Sequence, residues 1–181
     1  MKVTVQRLLE VAFNEVGYTE QPVNKTKYAK YFGTDGIQWC GVFVNWCFEK
    51  SGGKLHNTWY TPTGAQGFKV RKQWKSKGKV LAGDIVYFDF PNDNIDRISH
   101  VGIAVKDLGK SVLCIEGNTT LTGFVPKGKD IDERNGGAVS LKIRDKSLIV
   151  GWGRPDYQGS DYKWMVEKIV LSLFPPKKGK K

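Results

Sequence analysis

Cysteine, histidine and methionine are scarce in this chain: three, two and two residues in 181. Three cysteines are too few for a disulfide-stapled scaffold, and an odd number leaves at least one thiol free. No Cys-x-x-Cys pair occurs, and neither His56 nor His100 belongs to a His/Cys/Asp cluster at ligand spacing, which argues against a zinc site. No apolar run approaches the ~20 residues that a bilayer-spanning helix needs. The opening Met1-Lys2-Val3-Thr4-Val5-Gln6-Arg7 turns polar too early for the apolar region of an export signal, so none is expected. Repeats and low-complexity blocks are absent from the body of the chain.

What is present builds a core. Hydrophobic residues make up 40%, with six Trp, seven Tyr and nine Phe, which excludes wholesale disorder. The length suits one domain, or one domain with an appendage. Glycine, at 21 of 181 residues against a usual ~7%, forecasts many loops and tight turns. Lys and Arg number 29 against 18 Asp and Glu, a net +11 that favours polyanionic partners: nucleic acid, anionic lipid or the acidic polymers of a bacterial wall. Residues 158–181 hold +4 of that excess, and the rest is spread without a dense stripe, as on an ordinary solvated surface.

Residues 4–16 read as an amphipathic helix, with Thr4 as N-cap, Val5, Leu8, Leu9, Ala12 and Val16 at helical spacing and Gly17 as the stop. Residues 18–38 read as a loop with some helical turn. Residues 39–51 are apolar on nearly every face and end in Gly52-Gly53, the pattern of a buried helix. A looser, turn-rich stretch follows. Period-two patterning then marks short strands at Asp84–Phe90, Ser99–Lys106, Ser111–Glu116, Ala138–Lys142 and Ser147–Gly151. Helices first and neighbouring strands after them predict an α+β fold with an antiparallel sheet. Pro155 ends the last strand. The 158–181 segment, a short amphipathic stretch (Trp164, Met165, Ile169, Val170, Leu173, Phe174) running into Pro175-Pro176-Lys177-Lys178-Gly179-Lys180-Lys181, reads as a linker, a docking helix or an artificial terminus.

Chemistry centres on Cys40. It opens the buried helix, where unpaired backbone N–H groups and the positive end of the dipole favour a thiolate and could cradle an oxyanion. A buried structural thiol is the ordinary alternative. Cys47, seven residues on and ~10 Å along the axis, lacks that field and reads as core; it is also too far from Cys40 for a disulfide. A nucleophilic Cys needs a base, and His100 is the candidate. It shares a strand face with Gly102 and Ala104, small residues that leave room for a neighbour; a hydrogen-bonded core histidine is the alternative. His56, in a polar loop, reads as a surface residue. On the next strand Glu116 and Asn118 share a face with Cys114, and a hairpin turn at Asp107-Leu108-Gly109-Lys110 joins the two strands. Facing His100 with Glu116 requires paired positions with an even sum, hence an odd-length loop or a bulge. A carboxylate or amide there would set the tautomer of the imidazole. Otherwise Glu116 is a surface charge at a strand end.

Trp39-Cys40-Gly41-Val42-Phe43-Val44-Asn45-Trp46-Cys47, Gly83-Asp84-Ile85-Val86-Tyr87-Phe88, Ser99-His100-Val101-Gly102-Ile103 and Glu116-Gly117-Asn118 together resemble the CHAP family of cysteine amidase/peptidases. These are peptidoglycan hydrolases of the papain-like and NlpC/P60 grouping. The resemblance runs from about Val5 to Pro155, and Gly17-Tyr18-Thr19-Glu20 with Lys25-Thr26-Lys27-Tyr28 looks like phage lysins. It implies a papain-like α+β fold with N-terminal helices on a small antiparallel sheet. Residues 1–157 would be the catalytic domain and 158–181 a basic tail or linker. Cys40 would be the nucleophile, His100 the base and then the acid, Glu116 the residue that orients the ring, and Asn118 a support. The Cys40 N–H, with Gln38, would hold the oxyanion. Of the Asp-x-Asp loop through which some members bind calcium only Asp35 is present, so no cofactor is expected, with calcium the one alternative left open. Many members carry a separate wall-binding domain; here only the basic tail stands in its place, a possible contact for anionic wall polymers.

The leading expectation is therefore hydrolysis of a peptidoglycan amide, either the N-acetylmuramoyl-L-alanine bond or one in the stem peptide or cross-bridge. Tyr31, Trp39, Trp59, Tyr60 and Trp152 are candidates to line the groove, although aromatics are mostly core. A non-catalytic wall- or polyanion-binding module on the same scaffold is the alternative. No nucleic-acid motif is present, so no nucleic-acid partner is expected; a monomer is. Without an export signal the protein would act from the host cytoplasm through a pore, or from outside as part of a virion, like an endolysin or a tail lysin.

Overall fold

The computed structural model describes residues 3–91, 97–121, 136–159 and 161–173. Helix α1 (Val5–Phe13) starts where the Thr4 hydroxyl accepts the Arg7 N–H, and it buries Val5, Leu8, Leu9, Val11 and Ala12 as one stripe. Helix α2 (Lys27–Tyr31), capped by Thr26, is the helical turn expected within 18–38. Helix α3 (Cys40–Lys50) is buried from Cys40 to Phe48. Helix α4 (Thr61–Val70) lies in the stretch read as turn-rich. Gly64 and Gly67 conceal it, since glycine weakens a helix interior. Packing demands both: a Cβ on Gly64 would stand 2.8 Å from the Tyr87 hydroxyl, and one on Gly67 2.2 Å from His56 Cδ2. His56 is correspondingly not a surface residue. Its Nε2 meets the Gly64 carbonyl at 2.8 Å and its ring lies 4.5 Å from Phe68.

Six strands follow: β1 (Trp74–Lys75), β2 (Ile85–Phe88), β3 (His100–Asp107), β4 (Ser111–Thr119), β5 (Ala138–Asp145) and β6 (Ile149–Gly153). They form one sheet in the order β1-β6-β2-β3-β4-β5, with every neighbouring pair antiparallel. β4 and β5 run three residues further than their patterning indicated, and Ser147 belongs to a short 3-10 turn before β6. Helix α3 packs on β3 and β4 and is covered by α1 and α2, which explains its all-round hydrophobicity. The opposite face of the sheet carries a smaller cluster of Val80, Val86, Phe88, Ala104, Val112, Cys114 and Trp152.

The β3–β4 register decides the site. Ile103 pairs with Ile115 and Ala104 with Cys114, but Lys106 pairs with Leu113, so Val105 is an extra residue. That bulge supplies the even sum and puts His100, Gly102 and Glu116 on one face.

Helix α5 (Lys163–Leu173) lies against α1 and β3, with Met165 and Ile169 fully buried in the main core. Residues 163–173 are thus packed as a docked helix; the basic run from 174 onward lies outside the described residues. Among the described residues no helix is long and apolar enough to cross a membrane. Replacing Ile169 with Ala should cost about 2–4 kcal/mol, the usual toll for emptying a buried aliphatic site, measured by urea unfolding. An unchanged midpoint would mean that α5 is not docked in solution.

Candidate active site

Cys40 is the first residue of α3 and is only 4% exposed. Trp39, the N-cap, makes no side-chain capping bond, and the first helical bond runs from the Phe43 N–H to the Trp39 carbonyl (2.8 Å). The N–H groups of Cys40, Gly41 and Val42 precede that bond and have no intrahelical acceptor. Gly41 brings another segment close: a Cβ there would lie 2.0 Å from the Thr58 carbonyl oxygen and 2.9 Å from Trp59 Cα. The Thr58 hydroxyl in turn donates to the Gly41 carbonyl at 2.9 Å. Asn45 Oδ1 accepts the Thr58 N–H (2.8 Å), so one turn of α3 fixes the wall beside the thiol.

Trp39 is held from the other side. Its indole N–H donates to Glu20, its ring stacks on Tyr28 at 5.4 Å, and Tyr18 meets it edge-on at 6.1 Å. The Tyr18, Glu20 and Tyr28 positions therefore anchor the residue just before Cys40.

His100, at the start of β3, is wholly buried. Its Nε2 and Glu116 Oε2 are 2.9 Å apart. A carboxylate can only accept, so Nε2 carries the hydrogen, and Nδ1 is left with no hydrogen-bond partner among the described residues. Burial pushes the imidazole down, but interactions with the Cys40 side chain and with Glu116 outweigh it and raise the ring to about 9. No hydrogen bond of good geometry joins the ring to the sulfur, yet the thiol is near enough to act on it. Burial likewise opposes ionisation of Glu116, and the charges of Arg144 and His100 with their hydrogen bonds bring it down to about 2. Phe88 and Phe90 face the imidazole at 6.0 and 5.7 Å and keep water from this pair.

Cys40, His100 and Glu116 thus come together, and Asn118 lies two residues past Glu116, fully buried, with a left-handed φ of 57°. Gln38 is exposed two residues before Cys40. Trp59 is half-buried beside Gly41, with Phe32 5.4 Å from its ring, and the exposed Tyr60 ring stands 5.1 Å from the Arg97 guanidinium. Of the three other groove candidates, two are buried and one is exposed. Trp39 is fully buried in the aromatic cluster, and Trp152 is buried in the cluster that holds Val86, Phe88 and Ala104. Tyr31 is exposed, but its contacts are Phe32 and the Lys50 ammonium, 4.1 Å away on the last turn of α3. Cys47 and Cys114 are buried, and burial raises both thiols well above the ordinary range. Asp35 Oδ1 accepts the Gly36 N–H, and no metal-holding cluster of His, Cys, Asp or Glu gathers among the described residues.

Sequence reasoning missed Arg144, Phe88 and Phe90. Phe88 was legible as a strand residue that pairs with His100, but only the register shows the pairing. Arg144, 28 residues from Glu116, left no local signal.

Residues 32–118 match the family model of the CHAP domain, a span that includes Cys40, His100, Glu116 and Asn118 but neither Tyr31 nor Trp152. Over this span, just under half of the chain, the sequence is similar to a CHAP domain. No curated protein sequence matches the chain. Among solved structures, a wild-type endolysin, LysIME-EF1, superposes with a TM-score of 0.53 at 12% identity, over 87% of this chain and 66% of that one. Ly7917 gives 0.47 at 16% identity over 84% and 62%, respectively. A protein described as similar to lipoprotein, of the NLP/P60 family from Staphylococcus aureus subsp. aureus Mu50, gives 0.44 at 15% over 85% and 42%. The chain thus spans about two thirds or less of each. The fold of this chain is α+β, helices on one antiparallel sheet, and it is shared with LysIME-EF1.

The raised His100 has a consequence for stability. Its contribution is complete below the ring's ordinary value of 6.5 and is lost as pH rises to about 9. That of Glu116 is complete above 4.5 and is lost as pH falls toward about 2. Cys40→Ser weakens one set of interactions that keeps the ring charged. Its His100 midpoint, followed by NMR, should fall below the wild-type value, and the loss of unfolding free energy between 6.5 and about 9 should shrink. An unmoved midpoint would separate the sulfur from the ring.

Proposed function

We propose that this chain is a peptidoglycan hydrolase that cleaves an amide bond with Cys40 as nucleophile. The observation that carries the reading is the buried His100 ring within reach of the Cys40 side chain, with Nε2 tied to Glu116 and Nδ1 left without a hydrogen-bond partner among the described residues. Proton transfer from Sγ to Nδ1 leaves a thiolate beside an imidazolium. The sulfur attacks the carbonyl carbon, and the oxyanion meets the unpaired N–H groups at the start of α3, with Gln38 at the rim. The imidazolium protonates the departing amine as the C–N bond breaks, leaving a thioester. Water, deprotonated by His100, then releases the acid and restores the thiol. Glu116 keeps the ring oriented, and Asn118 supports it. Trp59 and Tyr60 flank the entry.

The match to the CHAP family and the likeness to an endolysin fold support a wall substrate. The reading extends to a lysin of phage type, working from the host cytoplasm through a pore or from a virion, as a monomer. Its basic tail would meet anionic wall polymers. Nucleophile, acid and base are all side chains, so no cofactor is called for, and activity should survive chelation.

Purified cell wall should be digested and its fragments sequenced by mass spectrometry. New N-terminal L-alanine identifies an amidase; a freed glycine or diamino-acid amine identifies an endopeptidase. Cys40→Ala should abolish the fragments while wall binding remains. Absence of fragments with wild-type protein sinks the proposal and leaves a binding module. Activity should decline as pH rises through about 9, where the imidazolium that protonates the leaving amine is lost.

A further inference from the structure

Arg144 has no place in the mechanism so far, yet it is the group most tightly joined to it. It lies on β5 opposite Val112 and is 8% exposed. Its Nε donates to Glu116 Oε1 at 2.9 Å and its Nη2 to Oε2 at 2.6 Å, so the guanidinium grips both carboxylate oxygens. Oε2 is the oxygen that also receives His100 Nε2–H. Nη2 reaches Thr119 Oγ1 at 3.3 Å, and the guanidinium carbon lies 5.0 Å from the Phe90 ring, which also faces His100. Three side chains therefore fix one cation, and that cation fixes the rotation of a fully buried carboxylate.

We infer that Arg144 is a positioning residue of the reaction: it keeps Glu116 ionised and turned so that His100 presents Nδ1 to Cys40. The inference rests on the proposed hydrolase reading. Among the described residues Arg144 meets Glu116, Thr119, Phe88 and Phe90, and it bears on the reaction through Glu116. The titratable groups around the carboxylate are His100 from β3, Cys114 from β4, Cys40 from α3 and Arg144 from β5. Lys142, also on β5, donates instead to Thr120 Oγ1. Of these only Arg144 and His100 bring Glu116 down, and the Arg144 charge is the stronger influence. Losing it moves the acid side of the profile, because the carboxylate then takes a proton at higher pH. The alkaline side belongs to His100 and stays.

Arg144→Met and Arg144→Lys are compared on soluble wall fragments. Arg144→Met should lower kcat about 10- to 100-fold, the scale of a misplaced catalytic group, with KM nearly unchanged. Its acid limb should move up by about one to three pH units, the range set by an adjacent opposite charge. Arg144→Lys should restore the acid limb but only part of kcat, since a lysine lacks the fork. In a Glu116→Gln background, which also relieves any folding defect from an uncompensated carboxylate, Arg144→Met should add little further loss. Equal losses in both backgrounds, or a lowered melting temperature with kcat and pH profile unchanged, would make Arg144 a structural ion pair and overturn the inference. The Glu116 carboxyl titration by NMR needs no turnover, so an inactive wild type sinks the hydrolase reading while this shift still tests Arg144.

Discussion

Glu116 is an anion with no access to water, and much of the architecture exists to tolerate it. An isolated carboxylate in such a place would give up its charge. Here a guanidinium grips both oxygens and an imidazole holds one of them. The Cys40 side chain also acts on that imidazole, and in the proposed mechanism proton transfer from sulfur to ring would move charge within the cluster without changing its sum. In that mechanism the first proton transfer would carry no new desolvation cost. Buried ion pairs are weak evidence for stability; this one is better understood as a device for orientation.

Two glycines make the geometry possible. A Cβ on Gly102 would meet Glu116 Cγ at 2.7 Å, so the carboxylate crosses β3 through the space its missing side chain leaves, on the way to His100. Gly41 does the same for the helix start, where the Thr58–Trp59 backbone lies against α3 beside Cys40. Small residues beside His100 suggested room for a neighbour; the neighbour is Glu116. Likewise, the N-terminal Tyr18, Glu20 and Tyr28 bear on the chemistry only through Trp39, the residue whose placement sets the first turn of α3.

Periodicity and capping residues made most elements readable. Thr4, Gly17 and the apolar run ending at Gly52-Gly53 bracket α1 and α3, and the period-two segments name five strands of the sheet, because these signals lie within a few residues of what they specify. Helix α4 stayed hidden, since its glycines answer to Tyr87 and His56, partners distant along the chain. That Trp39 and Trp152 are buried was hidden for the same reason: whether a Trp lines a cleft or fills a core depends on what covers it.

Local chemistry alone put a thiol at a helix start, an imidazole at a strand start and a carboxylate on the next strand, and showed that facing the last two required an even register. The chain order of those signals, each readable within its own segment, determined that much. Which way the register fell was settled by one inserted residue, Val105, within the pairing of β3 and β4. That Arg144 completes the line was settled by the β4–β5 pairing, and that Trp39 and Trp152 are buried, by packing. These are properties of contacts between segments distant in sequence, and no window along the chain contains both partners.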